Sequence, residues 1–191
     1  MSKLDQFERY YARDRKEWRK WLEKNHATSQ GIWLIYYKKC AGKTCISYND
    51  AVEEALSFGW IDSKVNKLDD ECYMQVFTPR KPKSIWSKLN KQRVQKVIEQ
   101  GLMTPSGLEK IQIAKEDGSW DFLNDIDNLV IPDDLKEALT KNTSAKTNFE
   151  TFSDSVKRQI LFWIKSAKRS ETRIKRIEKV VMLAAENKKP F

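Results

Sequence analysis

Between Phe58 and Asn90 the chain reads FGWIDSKVNKLDDECYMQVFTPRKPKSIWSKLN, where side chains that hydrogen-bond alternate with large aromatics. Trp60, Asp62, Lys64, Arg80, Ser84, Trp86, Ser87 and Asn90 fall within this stretch. Arg80 and Lys64 offer positive charge, and the planar guanidinium suits a carboxylate or phosphate. Ser84, Ser87 and Asn90 add neutral polar contacts, and Trp60 or Trp86 can stack on a base or sugar. Ser87 precedes a helical pattern, and a helix N-terminus presents free N–H groups and partial positive charge to an anion. Asp62, once buried, could act as a general acid or base. Each residue also has a plain structural reading: Ser87 as a cap, the two tryptophans as core, and Arg80 paired with Asp62 across a hairpin.

Other chemistries find little footing. His26 is the single histidine, and without a nucleophile motif it makes no triad. It stands at the expected end of a helix, where a favourable interaction with the helix terminus is its plainer role. Cys40, Cys45 and Cys72 lack CxxC spacing, so no zinc site is expected, and no glycine-rich phosphate loop is present. No metal and no cofactor is therefore expected. Three cysteines without a framework spacing, an N-terminus full of charge and no long apolar run point to a cytoplasmic protein with reduced thiols and no membrane partner.

The elements that must position the stretch follow from local pattern. Leu4, Phe7, Tyr11, Trp18, Trp21 and Leu22 repeat at helical spacing, with Asp14 and Glu17 as a capping box for a helix ending near Asn25. GIWLIYYKK reads as a buried strand over 32–39. Ser47 and Asp50 start a helix over 48–58, closed by Gly59. Residues 60–67 and 72–78 read as an antiparallel hairpin turning through Leu68-Asp69-Asp70-Glu71. Trp60, Asp62 and Lys64 then share one face of its first strand. From Ser87 onward the pattern is helical: 88–100 on Leu89, Val94, Val97 and Ile98; a helix from Thr104-Pro105 to Gly118; another after Ile131-Pro132; a short one around Phe149 and Phe152. Ser153 and Ser170 start the last two, the final one with Ile174, Ile177, Val181 and Ala184 inward. The expected fold is α+β. A small, mainly antiparallel sheet with helices occupies residues 1–100, and an all-helical module, 101–191, packs on it as one unit.

Charge is unevenly spread along the 191 residues, which carry a net +9. Seven bases and no acid lie between Arg80 and Lys96, eight acids between Glu116 and Glu137, and nine bases between Lys157 and Lys179. Arg173, Arg176 and Lys179 are three residues apart on one helical face and could meet a nucleic-acid backbone, weakly and without sequence preference. The plainer reading is a solvated face opposite the apolar stripe.

The segments EALSFGWIDSKVNKLDDE, FTPRKPKSIWSKLNKQRV, GLMTPSGLEKI and AKEDGSWD, with the C-terminal NFETFSDSVKRQILFWIKSAKRSETRIKRIEKVVMLAAE, resemble the YdeI/OmpD-associated family, also labelled bacteriocin protection. Ser57 stands where that family often has Cys. The resemblance implies a link to antimicrobial-peptide or stress tolerance and no particular reaction. Three function classes then follow: a binding module for a small anionic ligand, an enzyme on such a ligand with Asp62 and Arg80 at its site, or a nucleic-acid or protein adaptor using the basic helices.

Overall fold

The structure, a computed structural model, describes residues 3–38 and 42–190. Its contacts divide the chain into two compact units, Met1–Trp120 and Asp121–Phe191.

The first unit is built on a four-stranded sheet in the order β1-β2-β4-β3, from β1 (Arg9–Tyr11), β2 (Ile32–Tyr37), β3 (Trp60–Lys67) and β4 (Cys72–Pro79). β1 runs parallel to β2, and the other neighbours are antiparallel. β1 is a departure from the helical reading of Leu4 to Tyr11. A single 3-10 turn over Lys3–Gln6 precedes it, and Arg9 to Tyr11 pair with Trp33 to Ile35. Three residues are too few for a local pattern to declare themselves a strand; their partner lies more than twenty residues away. Lys39, at the end of the strand expected over 32–39, lies outside the described residues, as does Cys40.

Helix α1 (Arg15–Asn25) is capped by Asp14, whose carboxylate accepts from the Glu17 N–H, while the Glu17 side chain accepts from the Arg13 N–H. α2 (Tyr48–Ser57) is capped by Ser47 and stopped by Gly59 at φ +74°, a conformation open to glycine at little cost. Trp18, Leu22, Val52, Leu56, Ile32, Leu34 and Phe77 form the core between these helices and one sheet face. On the other face Trp33, Met74 and Val76 are covered by Leu4 and Phe7. α3 (Lys88–Glu99) and α4 (Pro105–Glu116) complete the unit. α4 lies so close to α2 that a Cβ on Gly107 would come within 2.3 Å of the Ser57 carbonyl oxygen. This packing carries the first unit past the expected boundary at 100/101 to Trp120.

Two face assignments differ from expectation. In α3, Arg93, Val94 and Val97 point inward, while Leu89 is 54% exposed and Ile98 is also exposed. In β3 an extra residue is inserted between Asp62 and Val65, so Asp62 pairs with Phe77 and Val65 with Gln75. The bulge reverses the alternation, removes Lys64 from the face of Trp60 and Asp62, and leaves it in solvent.

The second unit is helical: α5 (Asn124–Asp127), α6 (Asp133–Thr140), α7 (Thr143–Thr151), α8 (Asp154–Lys165) and α9 (Ser170–Ala185). Leu135, Phe149, Ile160, Ile164, Ile177 and Val180 make its core. In α9 Ile177 and Ala184 are buried as expected, whereas Ile174 is 55% exposed and Val180, rather than Val181, is fully buried.

Candidate functional site

The residues picked out between Trp60 and Asn90 separate into distinct settings. Trp60 and Trp86 are each 1% exposed. The Trp60 indole N–H donates to the His26 carbonyl at 3.1 Å, and its ring meets Trp21 edge-on, so it belongs to the core. His26 is held between the Leu22 carbonyl at 2.8 Å and the Ser106 hydroxyl at 3.1 Å. Ser87 accepts from the Asn90 N–H at 3.2 Å as the α3 cap, and Asn90 accepts from the Arg93 guanidinium at 2.9 Å.

Asp62 sits on the helix-covered face of the sheet. One carboxylate oxygen accepts from the Tyr48 hydroxyl at 3.0 Å and the Gln75 amide at 2.7 Å. Burial and the Asp62 charge both push the Tyr48 hydroxyl upward in pKa. Nearby, Tyr36 stacks on Tyr73 at 5.0 Å between centroids. Its hydroxyl is buried without a partner, and burial raises its pKa far above the usual tyrosine value.

Arg80, Ser84 and Trp86 come together. The end of β4 delivers Arg80 inward, its N–H bonded to the Gly59 carbonyl at 2.9 Å. The guanidinium lies 3.6 Å from the centroid of the Trp86 ring. Its Nη1 donates to the Ser84 carbonyl and hydroxyl, both at 3.2 Å. Arg80 is only 4% exposed, yet among the described residues it forms no ion pair. Asp62 reaches it only as a distant charge, and burial pulls its pKa down to about 10. The expected Arg80–Asp62 pair is therefore absent.

Beside Arg80 lies a cavity of about 10 Å³, lined by Arg80, Lys81, Lys83, Ser84, Trp86, Lys110, Asp117 and Ser119 among others. That is room for about one water. Two of its lining residues carry buried polar atoms with no partner, Arg80 Nε and Ser119 Oγ. Four cations line it against one carboxylate, and Asp117 is already engaged by the N–H groups of Lys83 at 2.6 Å and Ser119 at 2.9 Å. Those bonds, first that to Ser119, hold its carboxyl below the usual range. Lys83 has φ +61°, so the Asp117 contact stabilises a left-handed turn that a lysine seldom adopts. Lys110, Asp117 and Ser119 were missed by sequence reasoning; they come from α4 and its end, some thirty residues beyond Arg80, and no local spacing marks them. Of the expected set, Ser87, Asn90, Trp60, Asp62 and Lys64 do not line this cavity.

The basic face of α9 is largely engaged within its own unit. Arg173 forms a fork with Asp134 at 2.6 and 2.9 Å. Arg176 donates to the Trp163 carbonyl and to the Ser166 hydroxyl, and Lys179 lies 5.7 Å from the Trp163 ring centroid. Among the described residues no His, Cys, Asp or Glu cluster has the form of a metal site, Cys45 and Cys72 are free thiols, and no helix is long and apolar enough to cross a membrane.

A family model described as Domain of unknown function (DUF8412) matches residues 10–110, just over half of the chain. A second, described as Bacteriocin-protection, YdeI or OmpD-Associated, matches residues 128–187. The FGWID, FTPR and WSKLN motifs thus lie in the first match and the C-terminal helices in the second. No curated protein and no solved structure matches.

Proposed function

Since the chain belongs to the DUF8412 family, whose description assigns no activity, we infer its function from the Arg80 cavity: the first unit is a binding module for a small anionic ligand. The observation that carries this reading is a buried guanidinium that forms no ion pair and has a donor atom left over, beside a cavity whose one carboxylate, Asp117, is already taken by the Lys83 and Ser119 N–H groups. A charge taken out of water is costly unless paired, so a protein that keeps one unpaired has a use for an incoming negative group. Ser119 Oγ, also unpartnered at the same cavity, is a second donor for that group. The space admits one oxygen of an oxyanion, and the rest of the ligand lies over the exposed Lys81 and Lys83. The bacteriocin-protection description of the C-terminal match fits a role in stress tolerance but names no ligand.

Calorimetric titration with inorganic phosphate, sulfate and short carboxylates at constant ionic strength tests the reading. One saturable site per chain is expected, weakened about tenfold when Lys81 and Lys83 are both changed to Gln, because each exposed cation contributes on the order of 0.5–1 kcal/mol. Absence of saturable binding by any of these anions, or binding indifferent to loss of Lys81 and Lys83, would refute it.

A further inference from the structure

The second unit contains a cavity that the Arg80 reading does not use. It is open, about 580 Å³, and lined by Ile126, Asp127, Arg158, Gln159, Phe162 and Trp163. That volume is in the range, roughly 300–1,000 Å³, of pockets that take small organic molecules. α8 supplies four of the six residues. Arg158 with Phe162, and Gln159 with Trp163, stand four apart and so project from one face. α5 supplies the opposite wall, with Ile126 and Asp127.

The floor is aromatic and kept in place. Phe162 meets Phe122 edge-on at 6.0 Å, and Trp163 has the Arg176 guanidinium 5.1 Å from its ring centroid. Phe162 is nevertheless 41% exposed, a large apolar surface left in water. Around this floor the charges are mixed: Arg158 at the cavity, Lys165 over Phe122 but paired with Asp125 at 2.8 Å, and Arg176 and Lys179 on Trp163, against Asp127 on the rim. Arg158 is held only loosely, 3.8 Å from the well-exposed Asp154. Such a surface pair contributes little and gives way to a better acceptor.

We propose that this cavity binds a small amphiphile, an apolar or aromatic body carrying one carboxylate or sulfonate. The body covers Ile126, Phe162 and Trp163, and the acid group takes a two-point contact with the Arg158 guanidinium. A cationic amphiphile would meet Arg158 at the cavity, with Arg176 and Lys179 beside it on Trp163, and an uncharged one would forgo Arg158.

The full chain is titrated with 8-anilinonaphthalene-1-sulfonate, followed by its fluorescence, and with uncharged N-phenyl-1-naphthylamine as a control. One sulfonate probe per chain is expected, displaced by decanoate. Arg158→Gln should weaken the sulfonate about tenfold, the loss of one charge-assisted contact, and leave the uncharged probe unchanged. Phe162→Glu should abolish both, with circular dichroism confirming that its exposed position tolerates the change. Arg80→Met should affect neither, which separates this site from the one in the first unit. An Arg158→Gln protein that binds the sulfonate as before overturns the proposal. So does a Phe162→Glu protein that keeps the site. Self-association in sedimentation that disappears with Phe162→Glu also overturns it, since a second copy would then be the occupant.

Discussion

Replacing Arg80 by Met should leave the ligand-free protein about as stable as before and remove its response to anions. The balance can be worked from the geometry. Burial pulls Arg80 to about 10 from an ordinary value of 12.5, which amounts to roughly 3 kcal/mol spent on holding the charge in place. Against this stand the bonds from Nη1 to Ser84, on the order of 1 kcal/mol each, and the stacking on Trp86, about 1–2 kcal/mol when desolvated. Met keeps much of the apolar contact with Trp86, so the losses and the relief cancel to within about 1 kcal/mol. In a chain of this size that shifts Tm by about 2–4 °C at most. Wild-type protein at a hundredfold excess of its anion over Kd should gain about 2.7 kcal/mol, and the variant nothing. Thermal unfolding in phosphate and in chloride at matched ionic strength measures both. The reasoning fails if Arg80→Met costs several kcal/mol without ligand, which would make the arginine structural. It fails equally if the variant keeps the wild-type response to phosphate.

Three further outcomes follow from features of each unit. Glu54 is 1% exposed and accepts from Arg15 at 2.6 Å and Arg19 at 2.8 Å; because Arg15 keeps Glu53 and Asp50 and Arg19 keeps Glu23, Glu54→Gln should cost about 1–3 kcal/mol in urea unfolding through two weakened charge-assisted bonds. Gly107→Ala places a methyl against the Ser57 and Leu56 carbonyls and should lower stability by about 1–3 kcal/mol, with the loss confined to the first unit's unfolding transition. In the second unit the Arg173 fork lowers the Asp134 pKa, so the unfolded chain binds that proton more readily than the folded one. The stability it supplies is present above about pH 4 and drains as the pH falls through the lower folded value. Asp134→Asn should flatten that part of the acid limb, and an unchanged limb would show that the pair contributes nothing.

What could be read from the chain was mostly local chemistry. Asp14, Ser47, Ser87 and Thr104 each cap the helix expected of them because a cap involves only residues three apart. The hairpin was legible for the same reason, its two strand segments being joined directly by the turn at Leu68 to Glu71. What escaped was set at a distance. β1 exists through its pairing with β2. Leu89, Ile98 and Ile174 fit an apolar stripe, but packing buried only part of each: Val94 and Val97 go inside with Arg93 in α3, and Ile177 and Ala184 with Val180 in α9. The ionic cluster that ties Glu53 and Glu54 of α2 to Arg15, Arg19 and Lys96 spans three helices, and no spacing pointed to it. The site shares this division. Arg80, Ser84 and Trp86 were visible as a basic and aromatic run, whereas Ser119 and Lys110 join them only through the fold.

The bulge between Asp62 and Val65 also bears on how this protein behaves in a crowded solution. β3 is an outer strand, and a straight outer strand offers its free N–H and C=O groups to any other chain as a template for growth. The inserted residue breaks the regular spacing of those groups midway along the strand. Lys64 and Lys67 add charge that an incoming strand would have to desolvate, and Ser63, Lys64 and Val65 are all exposed there. The opposite edge, β1, is three residues long, too short to seed an extension. A sheet with both margins blunted in this way resists end-to-end assembly. The irregularity that displaced Lys64 from the expected face therefore serves as a guard against aggregation.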